Sequence, residues 1–545
     1  MVNNVLFIIV LLVAVVASAL TVYFAIGLQE AKKLKDETEE REEKMTNSKK
    51  AIRSICKPTK FKEACEESMV NSNTTDPKAL IMAEFKATVA EIKNVMVNSK
   101  TVQDLQKDEK TKAAFGVCQE LFDWAVVDLE RSFDKLGEQD MTKIGDVLLT
   151  LQSRGEEDAG DHSQVTGVNQ ERPQHLNGLP SILKEFNIDD IDISSAFNRK
   201  LLSGDFPEWM SYGDRKLLQA TPAEITPNVV VAKDGTGKFD TIAKALAEVP
   251  KKNTERFVIH IKAGVYEERI DIPKTVGHVM FIGDGPTKTV ITGSVSVEKT
   301  LPKPSTFRTA TVAVAGLNFI AKDIAFENSI GPVGHQAVAF RGSGDMAAFY
   351  NCHFNGYQDT LYAHEDRQFY RDCVITGTID FIFGDARAVF QNCQLIVRKP
   401  LDNQNCVIVA EGKESLESKG GFVFQNCTFS GDKDYLPVKD KNKSYLNRPW
   451  RHLATVIIMQ SQIDDIIQPE GYIPMNGNDG LATSYYVEFG NRGPGAKTDG
   501  RVKWEGIKTL DATEIKKFAP GVYLDSDDWI PETGVPIITD MIPGL

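Results

Sequence analysis

Basic residues are scarce relative to acidic ones in this chain of 545 residues: 63 Lys and Arg stand against 76 Asp and Glu, giving a formal net charge of −13 at pH 7. No long basic run occurs. Because a protein that binds phosphate backbones needs a concentrated positive surface, this balance argues against a nucleic-acid partner. The rest of the composition, with 42% hydrophobic residues, is that of an ordinary globular protein of two or three domains.

Cysteine is also scarce, at eight residues, and its spacing contains no Cys-x-x-Cys pair. Histidine is equally rare, at eight residues, and does not cluster. Since structural zinc sites are built from closely spaced Cys and His, the sequence predicts no metal site, and it indicates no other cofactor. In an exported chain the same cysteines can form disulfides.

Charged side chains are absent from Val5 to Leu28. Such a run is typical of a membrane-spanning helix or of the core of a signal peptide. The small-residue pattern Ala17-Ser18-Ala19 favours a cleaved signal, whereas the length of the run and the lack of basic residues before it favour an uncleaved anchor. Either alternative for residues 1–28 sends the chain into the secretory pathway. The sequons at Asn73 and Asn442 are then candidate glycosylation sites.

The apolar residues from about Ser48 to Gly137 recur at helical spacing. The stripe is clearest after Cys118, at Leu121, Phe122, Ala125, Val126, Leu129, Phe133 and Leu136. Steps of three and four predict a helix packed in a bundle. Between about Gln152 and Gln174 the pattern gives way to polar residues typical of a loop. We therefore predict an α-helical bundle domain over 48–206, weakly patterned in its C-terminal part.

The tetrapeptide Arg-Lys-Leu-Leu occurs twice near the end of this region. The first copy spans Arg199 to Leu202, and the second consists of Arg215, Lys216, Leu217 and Leu218. Both precede a change in composition, and the second lies in a linker predicted over 207–226. This position indicates a processing site.

A phrase with an aromatic residue, Asn or Asp, and Cys recurs after Pro227, where helical spacing gives way to short β-rich segments. Its copies are Phe349-Tyr350-Asn351-Cys352, Phe369-Tyr370-Arg371-Asp372-Cys373, Phe390-Gln391-Asn392-Cys393 and Phe424-Gln425-Asn426-Cys427. The phenylalanines are separated by 20, 21 and 34 residues. A period near twenty predicts a mainly β domain over 227–545, a parallel β-helix in which residues one period apart lie about 4.8 Å away on the next coil.

This period brings polar side chains together. Gln336, Gln358 and Asp380 are each 22 residues apart, and Asp359 precedes Asp380 by 21, so the four come from successive coils. Two carboxylates one coil apart cannot both ionise cheaply, so one pKa is raised and the other is held down by a cation, for which Arg448 is the candidate. This divides the pair into an acid and a nucleophile or base.

The residues alone leave two reaction types open. Carboxyl groups about 5 Å apart also occur in retaining glycosidases. The amides of Gln336 and Gln358 favour ester hydrolysis, because a tetrahedral acyl intermediate has an oxyanion that N–H donors stabilise. Trp450 offers a ring face on which a sugar can stack.

The β-rich region resembles the plant pectin methylesterases from about Pro227 to Leu545. The strings that carry the resemblance occur in the family's order: Gly264-Val265-Tyr266-Glu267-Glu268, Gln336-Ala337-Val338-Ala339, Tyr357-Gln358-Asp359-Thr360-Leu361-Tyr362, Gly377-Thr378-Ile379-Asp380-Phe381-Ile382-Phe383-Gly384 and Arg448-Pro449-Trp450. The resemblance implies a right-handed parallel β-helix. It also implies a metal-independent aspartyl esterase, secreted to the plant cell wall, that removes methyl groups from the carboxyl esters of homogalacturonan.

The resemblance further implies a role for each site residue. Asp380 is the implied nucleophile, and Asp359 is the acid that becomes a base. Gln358 and Gln336 hold the oxyanion. Arg448 orients Asp380 and contacts the substrate. The implied substrate-binding set is Thr306, Gln336, Arg448 and Trp450.

The N-terminal region resembles, more weakly, the inhibitor-like pro-domain of the larger members of that family. The resemblance rests on Cys56 and Cys65, which are candidates for a disulfide, and on the helix from Cys118 to Phe122. The fourth cysteine of the pattern is missing before Cys352. The Arg-Lys-Leu-Leu strings resemble the family's processing sites. The implied partners are methylesterified homogalacturonan, pectin methylesterase inhibitors and a processing subtilase, and the expected state is a monomer.

The chain departs from the family pattern at several positions near the site. Asn447 stands where the family usually has Gly, and Thr455 where it often has Arg. Glu411 and Lys413 stand where it usually has Gln and Arg. None of these changes removes a predicted catalytic group, but they can alter pH optimum, rate or substrate pattern.

Two points remain open at this stage. Coil stacking favours a disulfide between Cys373 and Cys393, with Cys352–Cys373 and Cys406–Cys427 as alternatives. A catalytically weak protein that only holds pectin, or a depolymerising β-helix glycosidase or lyase, would compete with the esterase. A lyase normally needs a Ca²⁺ cluster of carboxylates, and none is evident in the sequence.

Overall fold

The computed structural model describes residues 226–544 apart from 302 and 417. Before them it describes isolated positions: Ile52, Arg53, Glu66, Glu67, Ala90, Gly116, Gln119, Glu120, Asp123, Trp124, Val126 and Val127. The expectations for residues 1–28, Cys56, Cys65, Asn73 and the Arg-Lys-Leu-Leu strings lie outside the described residues. Within them, no helix is long and apolar enough to cross a membrane.

Short strands make up most of the described chain. In chain order they are β1 (Val229–Val231), β2 (Phe257–Ile261), β3 (Gly264–Glu267), β4 (Ile270–Ile272), β5 (Val279–Gly283), β6 (Thr289–Gly293), β7 (Val312–Val314), β8 (Ile320–Lys322), β9 (Ala325–Asn328), β10 (Phe340–Gly342), β11 (Ala347–Tyr350), β12 (His353–Asn355), β13 (Leu361–Ala363), β14 (Arg367–Arg371), β15 (Val374–Gly377), β16 (Ile379–Gly384), β17 (Arg387–Gln391), β18 (Gln394–Val397), β19 (Cys406–Glu411), β20 (Gly421–Gln425), β21 (Thr428–Gly431), β22 (Ser444–Asn447), β23 (Thr455–Met459), β24 (Gln462–Ile463), β25 (Tyr485–Phe489) and β26 (Ile507–Lys508).

The strands form three parallel sheets, to which each coil adds one strand in turn. Sheet A has the order β1-β2-β5-β8-β11-β14-β17-β20-β23-β25-β26, sheet B has β24-β21-β18-β15-β12-β9-β6-β3, and sheet C has β22-β19-β16-β13-β10-β7-β4. Each strand pairs with the strands one coil before and one coil after it, and the side chains that point inward fill a single long core. The prediction of a mainly β, parallel β-helix domain is confirmed.

An aromatic stack runs along the inside of sheet A. The rings of Phe349, Tyr370, Phe390 and Phe424 lie nearly parallel, with centroids 4.6, 4.5 and 4.7 Å apart. The register differs by one residue from the alignment of the repeated phrase, because Phe349 pairs with Tyr370 and not with Phe369. The second copy has one extra residue before its cysteine, and a shift of one residue turns a strand side chain to the opposite face. Phe369 therefore packs outside the coil.

The Asn/Asp and Cys positions of the phrase form a two-residue turn that joins sheet A to sheet B in successive coils. Its first residue has positive φ in the six coils from β8 to β24: Asp323, Asn351, Asp372, Asn392, Asn426 and Gln460, with φ from 50° to 59°. Asn and Asp tolerate this left-handed conformation better than other residues with side chains, which explains their recurrence. The side-chain amide of Asn426 also donates to Oδ1 of Asn392, 3.2 Å away, so the turns are linked along the axis.

The second turn residue points into the core, where Cys352, Cys373, Cys393 and Cys427 are almost completely buried. All four are free thiols, as is Cys406, so the predicted Cys373–Cys393 disulfide is not formed. Side chains stacked one coil apart are parallel, which keeps their Cβ atoms about 4.8 Å apart, beyond the roughly 3.5–4.5 Å that a disulfide requires. The thiols of Cys373 and Cys393 instead approach backbone carbonyl oxygens at 3.3–3.7 Å.

Asn442 is not an exposed glycan acceptor, and that prediction is wrong. Its side chain is 1% exposed. The amide donates to the carbonyl oxygens of Leu401 and Gln404 at 2.9 and 2.7 Å, so it ties down the loop before β19. A residue that uses its amide nitrogen in this way has no room for a glycan.

Within residues 226–544 the helices are short, and the three α-helices lie near the two ends of that range. They are α1 (Ile242–Leu246), α2 (Pro520–Tyr523) and α3 (Ile530–Thr533), with 3₁₀ helices at Thr306–Thr309, Pro332–Gly334, Leu436–Val438, Pro494–Ala496, Glu514–Phe518 and Ser526–Asp528. The C-terminal segment packs Phe518, Trp529 and Ile530 against the outer face of sheet A, where Phe369 lies. Sheet A is thereby covered, which leaves the outer face of sheet C as the place for a site.

Candidate active site

Asp359 and Asp380 lie where neighbouring strands of sheet C begin. Asp359 precedes β13 by two residues, and Asp380 is the second residue of β16. The N–H of Asp359 donates to the carbonyl of Ile379 at 3.0 Å, which joins the two coils at this point. Both aspartates have positive φ, 63° and 51°. Strained backbone of this kind collects at functional sites, and here it goes with carboxyl groups that are only 7% and 5% exposed.

Arg448 holds Asp380 by two hydrogen bonds. Its Nε and Nη2 donate to Oδ1 and Oδ2 of the carboxylate at 2.8 and 2.6 Å. Arg448 follows β22, and its backbone N–H donates to the carbonyl of Val409 at 3.1 Å, which fixes the base of the side chain. Burial works against the guanidinium charge, but Asp380 outweighs it and raises the pKa of Arg448. The fork geometry keeps the Asp380 carboxylate oriented.

We expect Arg448→Lys to lower kcat/KM about tenfold to a hundredfold. A single ammonium cannot reproduce two parallel hydrogen bonds, and one hydrogen bond to a charged group is worth about 1.5–3 kcal/mol. Initial rates of the purified variants measure this loss. Arg451→Lys is the matched control, since Arg451 lies in the same loop but makes only a long contact, 3.9 Å, with Glu414 and a cation–π contact, 5.2 Å from the Trp450 ring centroid, that lysine can keep. Equal losses in the two variants would contradict a special role for Arg448.

Asp359 has the opposite environment. Burial raises the pKa of its carboxyl well above the usual value, the charge of Asp380 raises it further, and Arg448 offsets part of the rise. The neutral acid is therefore favoured beside an ionised, arginine-bound neighbour. One carboxyl can donate a proton while the other attacks, which is the division of roles that acid–nucleophile chemistry needs.

Two glutamine amides lie beside the aspartates. The carbonyl of Gln358 accepts from the N–H of Ala337 at 3.2 Å, so Gln336 and Gln358 begin neighbouring coils just as the aspartates do. Both side chains are half-buried. Amide N–H groups have the chemistry to bind an oxyanion that forms on a substrate carbonyl.

Aromatic rings line the outer face of sheet C beside this cluster. Phe383 stacks on Tyr362 with ring centroids 4.2 Å apart, and Trp450 lies 5.8 Å from Phe383. Phe307 meets Tyr362 edge to face at 6.5 Å. We call the surface lined by Phe307, Tyr362, Phe383 and Trp450 the groove. Phe307, Tyr362 and Phe383 are only 2–5% exposed, whereas Trp450 is half-buried, so Trp450 is the ring of this set that can offer a face to a sugar.

Different contacts hold Thr306 and Trp450 in place beside the groove. Thr306 begins a 3₁₀ helix, and its carbonyl accepts from the hydroxyl of Thr309 at 2.7 Å. The same hydroxyl accepts from the N–H of Val338 at 3.1 Å, which attaches that helix to the coil of Gln336. Trp450 needs Gly412, because a Cβ there would lie 2.5 Å from the indole ring.

The sequence reasoning missed Phe307, Tyr362 and Phe383 as groove residues. Tyr362 and Phe383 belong to the motifs that carry the family resemblance, and strand alternation could have identified them. Leu361 and Ile382 point into the core, so the residue after each one points out of the coil. No pattern in the sequence around Glu120 and Trp124 indicates that these residues contact the groove. Trp124 is buried against the groove, 5.9 Å from the ring of Phe307, although it lies far away in the chain.

Glu411 connects both ends of the loop that carries Arg448 and Trp450. Its carbonyl accepts from the N–H of Trp450 at 3.1 Å, and its carboxylate accepts from the N–H of Thr455 at 2.5 Å. The side chain is fully buried, and its Oε1 has no hydrogen-bond partner among the described residues. Burial raises the pKa of Glu411 well above its usual value, and the nearby Asp385 raises it further.

We expect Glu411→Gln to stabilise the protein at neutral and alkaline pH but not at acid pH. Because the pKa of Glu411 is raised on folding, its contribution to stability is complete at low pH and is lost as pH rises through the folded-state pKa. Glutamine keeps the acceptor for Thr455 and does not titrate. Thermal unfolding across pH measures the effect, with exposed Glu267→Gln as the control. A stability difference that stays constant with pH would contradict the raised pKa.

Together, a parallel β-helix with an aromatic groove on sheet C and a paired carboxylate–arginine centre define an enzyme that modifies a polysaccharide. The family model described as Pectinesterase matches residues 228–527, and a second one, Plant invertase/pectin methylesterase inhibitor, matches residues 50–157. The chain belongs to the pectinesterase family.

Several relatives cover most of the chain. A protein of Arabidopsis thaliana, "Probable pectinesterase/pectinesterase inhibitor 21", is 44% identical over 518 residues, which cover 91% of this chain and 77% of that protein. A "Pectinesterase" of Petunia integrifolia is 50% identical over 378 residues, 69% of this chain and 98% of its own. Among solved structures, "Pectin methylesterase from Carrot" is 42% identical, covers 58% of this chain and 99% of its own, and superimposes with a TM-score of 0.57.

Proposed function

We propose that this protein hydrolyses the methyl esters of homogalacturonan, converting pectin and water into pectate and methanol. One observation carries the proposal: Asp380 is fixed by two hydrogen bonds from Arg448, while burial and Asp380 itself raise the pKa of the adjacent Asp359. This arrangement supplies a charged nucleophile and a neutral acid side by side. In the groove, the half-buried ring of Trp450 offers an aromatic face to the sugar chain.

The first half of the reaction forms an acyl-enzyme. A carboxylate oxygen of Asp380 attacks the carbonyl carbon of the ester, and the carbonyl oxygen becomes an oxyanion that the amides of Gln358 and Gln336 bind. The tetrahedral intermediate collapses as its bond to the methoxy group breaks. Asp359 gives its proton to that group, so methanol leaves and Asp359 becomes a carboxylate.

The second half regenerates the enzyme. Asp359, now ionised, takes a proton from a water molecule, and the resulting hydroxide attacks the acyl carbon. The bond to Asp380 breaks, which frees the product carboxyl and restores the Asp380 carboxylate that Arg448 stabilises. Thr306, Trp450 and Arg448 contact the sugar chain during both steps.

The remaining parts of the chain have supporting roles in this proposal. Residues 48–206 are an inhibitor-like pro-domain, 207–226 a linker cut at Arg215-Lys216-Leu217-Leu218 by a subtilase, and 227–545 the catalytic domain. The enzyme acts as a monomer in the plant cell wall, which it reaches through the secretory pathway, and separate pectin methylesterase inhibitors are further partners. The inhibitor family match over 50–157 supports the first assignment.

Methanol release from methylated pectin tests the proposal. The purified protein should release methanol without lowering the viscosity of the pectin. Loss of viscosity without methanol would indicate a depolymerising glycosidase or lyase instead. Binding to pectin with neither outcome would indicate a protein that only holds the polysaccharide.

A further inference from the structure

Arg341 is a buried cation on the floor of the groove. It lies in β10, opposite Tyr362 of β13, which in turn lies opposite Phe383 of β16. Its side chain is 2% exposed, and its guanidinium carbon lies 3.2 Å from the centroid of the Phe307 ring. Burial lowers the pKa of Arg341 to about 10, although nearby carboxylates partly offset the fall. A cation held this way needs an anionic partner.

The hydrogen-bonding capacity of Arg341 is largely unused. Nε and Nη1 have no hydrogen-bond partner among the described residues, although arginine carries five N–H donors. The carboxylate of Glu120, in the N-terminal region, lies 3.6 Å from Nη2. Asp271, which is exposed, is the other carboxylate whose charge acts on Arg341. A guanidinium whose Nε and Nη1 have no partner among the described residues can bind the two oxygens of a carboxylate.

A second arginine faces the same point. Arg308 donates from Nη2 to the carboxylate of Glu120 at 2.6 Å and to the carbonyl of Gly116 at 3.1 Å. Trp124, four residues after Glu120, covers the adjacent surface, with Lys274 Nζ 5.3 Å from its ring centroid. The N-terminal region therefore presents one carboxylate and one flat ring to this part of the groove. A galacturonate unit presents the same two features, a carboxylate and a flat sugar face.

The distance of this arginine pair from the reactive centre indicates which sugar unit of the substrate it would contact. From Asp380, Arg341 lies two strands away along the coil axis and about three residues along the strand, which places it roughly 14 Å away. That distance corresponds to a few sugar units from the ester under attack. A methyl ester at that unit has no charge to offer a buried guanidinium, whereas a free carboxylate has.

We propose that Arg341 and Arg308 form a subsite for the carboxylate of an unesterified galacturonate unit, which Glu120 occupies in the full-length chain. The inference rests on the proposed function and sharpens it. The enzyme works fastest on an ester with a free acid a few units along the chain, so its own product improves the next substrate. Demethylation then proceeds in blocks.

The test compares two oligogalacturonides of one length, one fully methyl-esterified and one carrying free acids in part of its units. The parent protein is the full-length chain with Glu120→Gln and Trp124→Ala, which remove the carboxylate and the indole ring that lie beside Arg341. We expect the parent to prefer the partly de-esterified oligomer in kcat/KM, and Arg341→Gln to reduce that preference about tenfold, mainly through KM, as the loss of one charge-assisted hydrogen bond predicts. Arg341→Lys should keep part of it.

Arg387→Gln is the matched control. Arg387 also stacks near an aromatic ring, Tyr523, and pairs with a carboxylate, Asp525, but it lies on sheet A. Its variant should keep the full preference. Equal losses on both oligomers in Arg341→Gln, with no rescue by lysine, would show a structural role and overturn the subsite. Methanol release without any preference in the parent would overturn it too, whereas no methanol from either oligomer would mean that the proposed function itself fails.

Discussion

Asp380→Asn should lower methanol release from methylated pectin by about a thousandfold or more. The substitution replaces the nucleophilic carboxylate by a neutral amide and keeps the size and shape of the side chain, and losing a covalent nucleophile typically has an effect of this order. Asparagine also tolerates the positive φ of this residue, 51°, so the backbone should stay in place. Steady-state rates on one pectin preparation measure the loss.

Asp372→Asn is the control for this prediction. Asp372 has nearly the same backbone conformation, with φ of 53°, but it lies at the corner between sheets A and B. Asparagine already occupies the equivalent place in the neighbouring coils. The control should keep its activity. If Asp380→Asn kept activity within a few-fold of the control, the nucleophile would have to be another group.

Asp359→Asn should lower kcat by about a hundredfold to ten-thousandfold, the usual contribution of a general acid or base. It should also change the pH profile. The pKa of Asp359 is raised, and the acid form must be present for methanol to leave, so wild-type kcat/KM is expected to be full below that pKa and to fall as pH rises through it. The variant has no such group and should lose this alkaline limb.

The pH dependence of kcat/KM, measured for wild type and Asp359→Asn, tests whether the alkaline limb is lost. Methyl esters hydrolyse spontaneously in alkali, so enzyme-free rates are subtracted at each pH. Asp385→Asn is a useful comparison, because Asp385 is another buried carboxyl close to sheet C, where it accepts from the hydroxyl of Ser418 at 3.0 Å. An alkaline limb that persisted unchanged in Asp359→Asn would assign the titration to another residue.

The β-helix architecture could be predicted from the sequence because each copy of the coil repeat is a local pattern. Each copy of the phrase places an αL residue and a buried residue side by side, and this pattern survives insertions elsewhere. The exact register was less accessible: whether Phe349 pairs with Phe369 or with Tyr370 depends on a single extra residue, which only the packed stack of rings decides.

The candidate site, too, could be predicted only where the coil period relates its residues. Asp359, Asp380 and the two glutamines could be predicted to lie together because the coil period relates them. The pairing of Arg448 with Asp380 rested on charge and motif, since the two are 68 residues apart. The contact of Trp124 with Phe307 joins distant regions and has no period behind it. The cysteine pairing failed because equal spacing along the axis does not bring parallel side chains close enough to bond.

The two-residue turn between sheets A and B has a consequence for how this enzyme can vary. From β8 to β24 that corner is always two residues long, whereas the long coil that contains β19 takes its additional residues before and after this sheet C strand. Because this corner does not change in length, it keeps the strands of sheets A and B in register. Loops at the groove can therefore lengthen or shorten without moving the core. Substrate pattern can therefore diverge through groove loops alone, and exchanging such loops between relatives should transfer specificity while leaving folding intact.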